Sequence, residues 1–111
     1  MRRSFLISLI SLVSTLLFSS ASLAENKLEA SIFSFDGKEF VRTETTLVVD
    51  GKPATNTKLD QNSAAYKALI EKHSYTGPAT VFGKDYQASY APLTDQTGKL
   101  TGALFIGQHK E

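Results

Sequence analysis

The sequence predicts an α+β domain: one antiparallel sheet of five strands, with a single short helix crossing over between the second strand and the third. Three observations carry that expectation. Two β-rich runs, SIFSF and KEFVRTETTLVV, flank Asp36-Gly37, a dipeptide that tolerates the positive φ of a two-residue hairpin turn. A stretch from Ala64 to Lys72 sets Tyr66, Leu69, Ile70 and then His73 at spacings of three and four, one face of a helix. Three more β-rich runs follow Gly77-Pro78. Strand, strand, helix, strand, strand, strand is an α+β order.

The chain opens with MRRSFLISLISLVSTLLFSSASLA. Arg2 and Arg3, an apolar run from Phe5 to Phe18 and the small residues up to Ala24 are the three regions of a secretory signal peptide. The run is shorter than the ~20 residues that span a bilayer, so cleavage is expected between Ala24 and Glu25, the alternative being an uncleaved signal anchor lengthened by the Ser-rich stretch up to Ala24. Residues 25–111 then form one domain, periplasmic or secreted, with no membrane span of its own. Setting Arg2 and Arg3 aside leaves ten of the twelve basic residues against eleven acidic ones. That balance argues against nucleic acid as a partner, because phosphate binding needs a basic excess gathered on one face. Cysteine is absent, so an apolar core must hold the domain without disulfides.

The elements follow in order. Asp50-Gly51 ends the second β-rich run, and the polar segment 52–61 reads as a loop. Asn62 and Ser63 can cap the helix that begins at Ala64. Strands are expected over 79–86 and 87–93, a turn over Asp95-Gln96-Thr97-Gly98, and a last strand, LTGALFIG, over 100–107. That final run is apolar enough to sit in the middle of a sheet.

The residues that could carry chemistry lie in the strands. In TVFGKDYQASYAPL, period-two alternation puts Phe82, Lys84, Tyr86, Ala88, Tyr90 and Pro92 on one face. Lys84, Tyr86 and Tyr90 would line a pocket for a small acidic ligand, or else pack as aromatics with wet polar tips. Arg42 alternates with Phe40 and Glu44, and its fork would bind a carboxylate or pair with Glu44 or a cross-strand acid. Tyr75 would close the pocket from the helix end or pack behind the turn at Gly77-Pro78. His73 and His109 are far apart in sequence, which gives no metal site. No cysteine nucleophile, G-x-S-x-G elbow, H-E-x-x-H or phosphate-cradling loop is present, so neither catalysis nor a cofactor is expected.

FVRTETTL, followed by LDQNSAAYKALIEKHSYTGPATVFGKDYQASYAPLTDQTGKLTGALFIG, resembles the distal half of a single Cache domain. The type it resembles is the Cache 3/Cache 2 fusion found outside the membrane in methyl-accepting chemotaxis proteins. The match runs through Phe40-Val41-Arg42, Leu59-Asp60, Ala65-Tyr66, Ser74-Tyr75-Thr76-Gly77, Phe82-Gly83-Lys84 and Tyr90-Ala91-Pro92-Leu93. The resemblance implies a PAS-like antiparallel sheet and a cavity beneath loops and a short helix. It also implies binding of a small-molecule ligand such as an organic acid, without catalysis. The ligand contacts would come from Arg42, Tyr75, Lys84, Tyr86 and Tyr90. Family members carry a long helix before the first strand and a membrane helix after the last. This chain reaches its first strand within a few residues of Glu25 and stops at Gln108-His109-Lys110-Glu111. A homodimer or a membrane receptor partner is therefore expected to cover the sheet face that the helix covers elsewhere, unless the short segment from Asn26 to Glu29 suffices. The alternative function is an interaction module that docks on a receptor without binding ligand.

Overall fold

The computed structural model describes residues 28–110; the expected signal peptide and its cleavage boundary lie outside the described residues. Strand β1 spans Leu28–Phe35, β2 Phe40–Thr45, β3 Val48–Val49 and β4 Lys52–Pro53. Helix α1 spans Ala64–Leu69, followed by β5 Tyr75–Val81, β6 Lys84–Thr94 and β7 Leu100–His109. Five strands pair in the order β2-β1-β7-β6-β5, and every neighbouring pair is antiparallel. The fold is the PAS-like α+β sheet with one short crossover helix. The apolar run of β7 occupies the centre of the sheet.

Three turns differ in detail from what the sequence suggests. At the first hairpin, the Asp36 N–H bonds the Glu39 carbonyl at 3.1 Å. The Asp36 Oδ1 also accepts from the N–H groups of Lys38 at 2.9 Å and Glu39 at 2.7 Å. Gly37-Lys38 is thus the connection, because an aspartate can cap following amides only from the flank of the turn. Asp50-Gly51, with φ of 54° and 79°, does more than end a strand: it is the tip of the small β3–β4 hairpin. The third break falls at Phe82-Gly83, where φ is 51° and 80°, rather than between Tyr86 and Gln87. Both central residues have positive φ, as the tight turn between twisted strands requires, and Phe82 leaves the strand face that alternation assigned to it.

The segment read as a loop is partly extended. The Arg42 N–H bonds the Thr57 carbonyl at 2.8 Å, and the N–H groups of Asn56 and Leu59 bond the carbonyls of Arg42 and Phe40 at 2.7 and 3.0 Å. The edge of β2 is therefore covered, and the loop is held against Arg42. Ser63 caps α1, accepting from the Tyr66 N–H at 3.1 Å. The helix ends early because Lys72 turns into the left-handed region at φ 65°. Ala65 and Leu69 face the core, whereas Ile70 and His73 are exposed.

The core lies on the face of the sheet under α1 and the 54–63 segment. Phe33, Phe40, Tyr86, Tyr90, Ala103 and Phe105 are each 2% exposed or less. Fully burying one such ring contributes about 2–3 kcal/mol. The rings meet in edge-on and tilted contacts, Phe33–Phe40 at 6.5 Å, Tyr90–Phe105 at 5.0 Å and Tyr86–Phe105 at 6.1 Å between centroids. They form a rigid floor for the space above.

Candidate functional site

The site begins with a cation in the core. Period-two alternation turns Phe40 and Arg42 inward from β2, and Arg42 is 2% exposed. Its Nε donates to the Ser31 Oγ at 3.0 Å, and one terminal nitrogen donates to the Thr57 Oγ1 at 2.8 Å. The guanidinium carbon lies 4.6 Å from the ring centroid of Phe33 and 5.2 Å from that of Phe82. No carboxylate of a described residue forms an ion pair with Arg42; the carboxylates of Glu39, Glu71 and Glu29 lie instead within 4 Å of Lys58, His73 and His109. The pairing with Glu44 or a cross-strand acid, weighed above, is not made. Burial pushes the guanidinium below its ordinary pKa, yet an arginine stays protonated. Of its five N–H donors, Ser31 and Thr57 take two, which leaves three.

Arg42 lines a cavity of about 330 Å3 between α1, the 58–65 segment, β5 and the middle of β6, whose walls include Lys58, Asp60, Tyr75, Phe82 and Tyr90. Tyr90 is 2% exposed, and its hydroxyl makes no hydrogen bond to another described residue. Burial is the main reason its pKa is pushed up to about 12, with the Arg42 charge opposing and Tyr75 adding to the rise. Tyr75 stands opposite Tyr90 across the β5–β6 ladder, and its hydroxyl donates to the Pro78 carbonyl at 2.6 Å. That bond ties the ring back onto β5, which runs extended through Gly77-Pro78 where the sequence suggested a turn, and leaves the oxygen free to accept.

The Tyr90 shift gives a pH prediction. Because its folded pKa lies above the ordinary value of 10.0, the unfolded chain releases the proton first. The stability from the neutral phenol is complete below pH 10 and drains away between pH 10 and 12, at up to about 1.4 kcal/mol per pH unit. Urea midpoints measured from pH 9 to 12 should fall along that window, and Tyr90→Phe should flatten the decline.

Lys84 and Tyr86 lie elsewhere. They border a second hollow of about 370 Å3, together with Glu29, Asp50 and His109. Tyr86 is 1% exposed, and burial, followed by the Glu29 charge, raises its pKa. The Glu29 Oε2 meets the His109 Nε2 at 3.0 Å, joining the first strand to the last. Lys84 is exposed at the hairpin end. Arg42, Tyr75 and Tyr90 thus converge on one cavity, while Lys84 and Tyr86 border the neighbouring one; Val81 and Phe82 line both.

Sequence reasoning missed Ser31, Thr57 and Phe82. A serine in the buried register beside Phe33 was a readable sign of Ser31. Thr57 gave none, since its position depends on how the 56–59 segment lies along β2.

The model of the Cache 3/Cache 2 fusion domain matches residues 26–111 of this chain. No curated protein matches it. The chain belongs to the Cache 3/Cache 2 family, a family of extracellular sensory domains.

Proposed function

We propose that this Cache domain binds a small carboxylate-bearing metabolite in the cavity at Arg42 and acts through a partner protein. One observation carries the reading: a guanidinium 2% exposed lies beside a cavity, with donors to spare and no carboxylate paired to it among the described residues. A buried charge without a counter-ion is costly, and a ligand carboxylate forking onto the guanidinium would offset that cost. Tyr90 supplies a hydroxyl beside it, and the cavity brings Lys58 and Asp60 to its lining. Its volume of about 330 Å3 is near the lower end for small-molecule sites, which favours a ligand of a few carbons. Nothing here asks for bond-making chemistry, so the role is recognition. The signal-peptide reading places the domain in the periplasm or outside the cell, where it would meet a membrane receptor.

Thermal melts against a panel of organic acids and their amides test the proposal. A ligand held only by the folded state stabilises it by RT ln(1 + [L]/Kd), about 2.7 kcal/mol at 100 times Kd. Acids should raise the melting temperature in a dose-dependent way and their amides should not. A cooperative melt that no acid shifts would overturn the reading.

A second reading has one observation of its own. Docking by a second copy or a receptor would use the outer face of the sheet, where Ile106 on central strand β7 is 49% exposed. Sedimentation of a strict monomer at all concentrations would count against the second copy.

A further inference from the structure

Arg42 lines a cavity and is nevertheless only 2% exposed, so the packing of its neighbours governs how much of the guanidinium an anion can meet. Four side chains pack on the guanidinium: Ser31, Thr57, Phe33 and Phe82. The first three are fixed. Ser31 is 1% exposed, and its Oγ is also bonded to the Thr45 Oγ1 at 2.7 Å. The Thr57 hydroxyl donates to the Ala54 carbonyl at 2.6 Å, and Phe33 is 2% exposed in the core. Phe82 differs from all of them. It is 45% exposed, it stands at a hairpin tip, and its ring lines both hollows.

Its backbone is also unusual. A φ of 51° is a conformation that glycine and asparagine adopt readily and that bulky residues rarely do. The chain carries an aromatic at a turn position that favours a small polar residue. The ring therefore serves something other than the turn, and what it touches is Arg42.

We infer that Phe82 controls access to Arg42: its ring caps the guanidinium in the free protein through a cation–π contact and swings outward to admit a carboxylate. The ring gives the unliganded cation partial compensation, and the exposed hairpin tip gives it room to leave. This deepens the reading of Arg42 as the ligand's partner and rests on it for its purpose. The capping itself can be tested without any ligand.

Arg42 is the only arginine beyond Arg3, so phenylglyoxal labelling followed by peptide mass spectrometry reports on it alone. The experiment uses the protein expressed from its complete coding sequence. With Phe82→Asn, Arg42 should label about fivefold faster than in wild type, the size expected for losing one exposed cation–π contact. The melting temperature of that variant should not fall, because asparagine suits the left-handed turn. With Phe82→Trp, the stronger π partner, labelling should slow by about twofold. Opposite changes in the two variants are not expected of a side chain that merely fills space. A folded Phe82→Asn protein that labels at the wild-type rate overturns the inference, and so does a Phe82→Trp protein that labels faster than wild type. Should wild-type Arg42 gain no protection from any acid in the melting panel, the carboxylate reading fails while the capping result still stands.

Discussion

The Arg42→Met protein is expected to melt close to the wild-type temperature and to show no stabilisation by any carboxylate. Methionine replaces the aliphatic stem at similar volume and removes a charge buried without a carboxylate beside it. Replacing buried ionic groups by apolar ones of like size is commonly neutral or stabilising by about 1–4 kcal/mol. The former partners are not orphaned. The Ser31 Oγ keeps the Thr45 Oγ1 at 2.7 Å, and the Thr57 hydroxyl keeps the Ala54 carbonyl at 2.6 Å. Against the gain stands the loss of two ring contacts, about 1 kcal/mol for the partly exposed Phe82 and about 2 kcal/mol for the buried Phe33. The sum lies near zero for the fold, and the main cost falls on binding. Melting curves with and without ligand separate the two. A loss of 3 kcal/mol or more, the size that breaking a buried polar network produces, would make Arg42 a structural tie and remove its claim on a ligand.

Gly102→Ala should cost about 3 kcal/mol, the upper part of the usual range for overpacking a core. Gly102 pairs with Ser34 across the central β1–β7 ladder. A Cβ there would lie 2.2 Å from the Phe33 carbonyl oxygen and 3.3 Å from its carbonyl carbon. Backbone in the middle of a sheet cannot swing aside as a flexible side chain can, so the two strands must part, and Phe33 carries both the core and one contact to Arg42. The urea midpoint should drop while the slope with denaturant stays the same. An unchanged midpoint would mean that β1 and β7 do not approach so closely.

Much of the fold was legible because its signals are local. LTGALFIG announced a central strand, Ser63 a helix cap, and Asp36-Gly37 the first hairpin, whereas Asp50-Gly51 was legible only as a strand end and not as the tip of the β3–β4 hairpin. The turn at Phe82-Gly83 was hidden because phenylalanine belongs to the vocabulary of strands, and at that position contact with Arg42 outweighs turn propensity. Alternation placed Lys84, Tyr86 and Tyr90 on one face correctly and still misled about their sharing a site. Six residues of strand separate Lys84 from Tyr90, about 20 Å at 3.3 Å per residue, more than one small cavity spans. For Arg42 the sequence left two futures open, an acid of the chain or an acid from outside. Deciding between them needed the 56–59 segment laid against β2, a tertiary arrangement that no local pattern encodes.

The most direct measurement is a calorimetric titration of the wild-type protein with the best acid from the melting panel and, separately, with its amide. Recognition through the Arg42 guanidinium predicts saturable binding of the acid and at least a tenfold weaker affinity for the amide, the loss of one charge-assisted hydrogen-bonded pair. Equal affinity for the two, or heat from neither, would contradict a carboxylate site at Arg42.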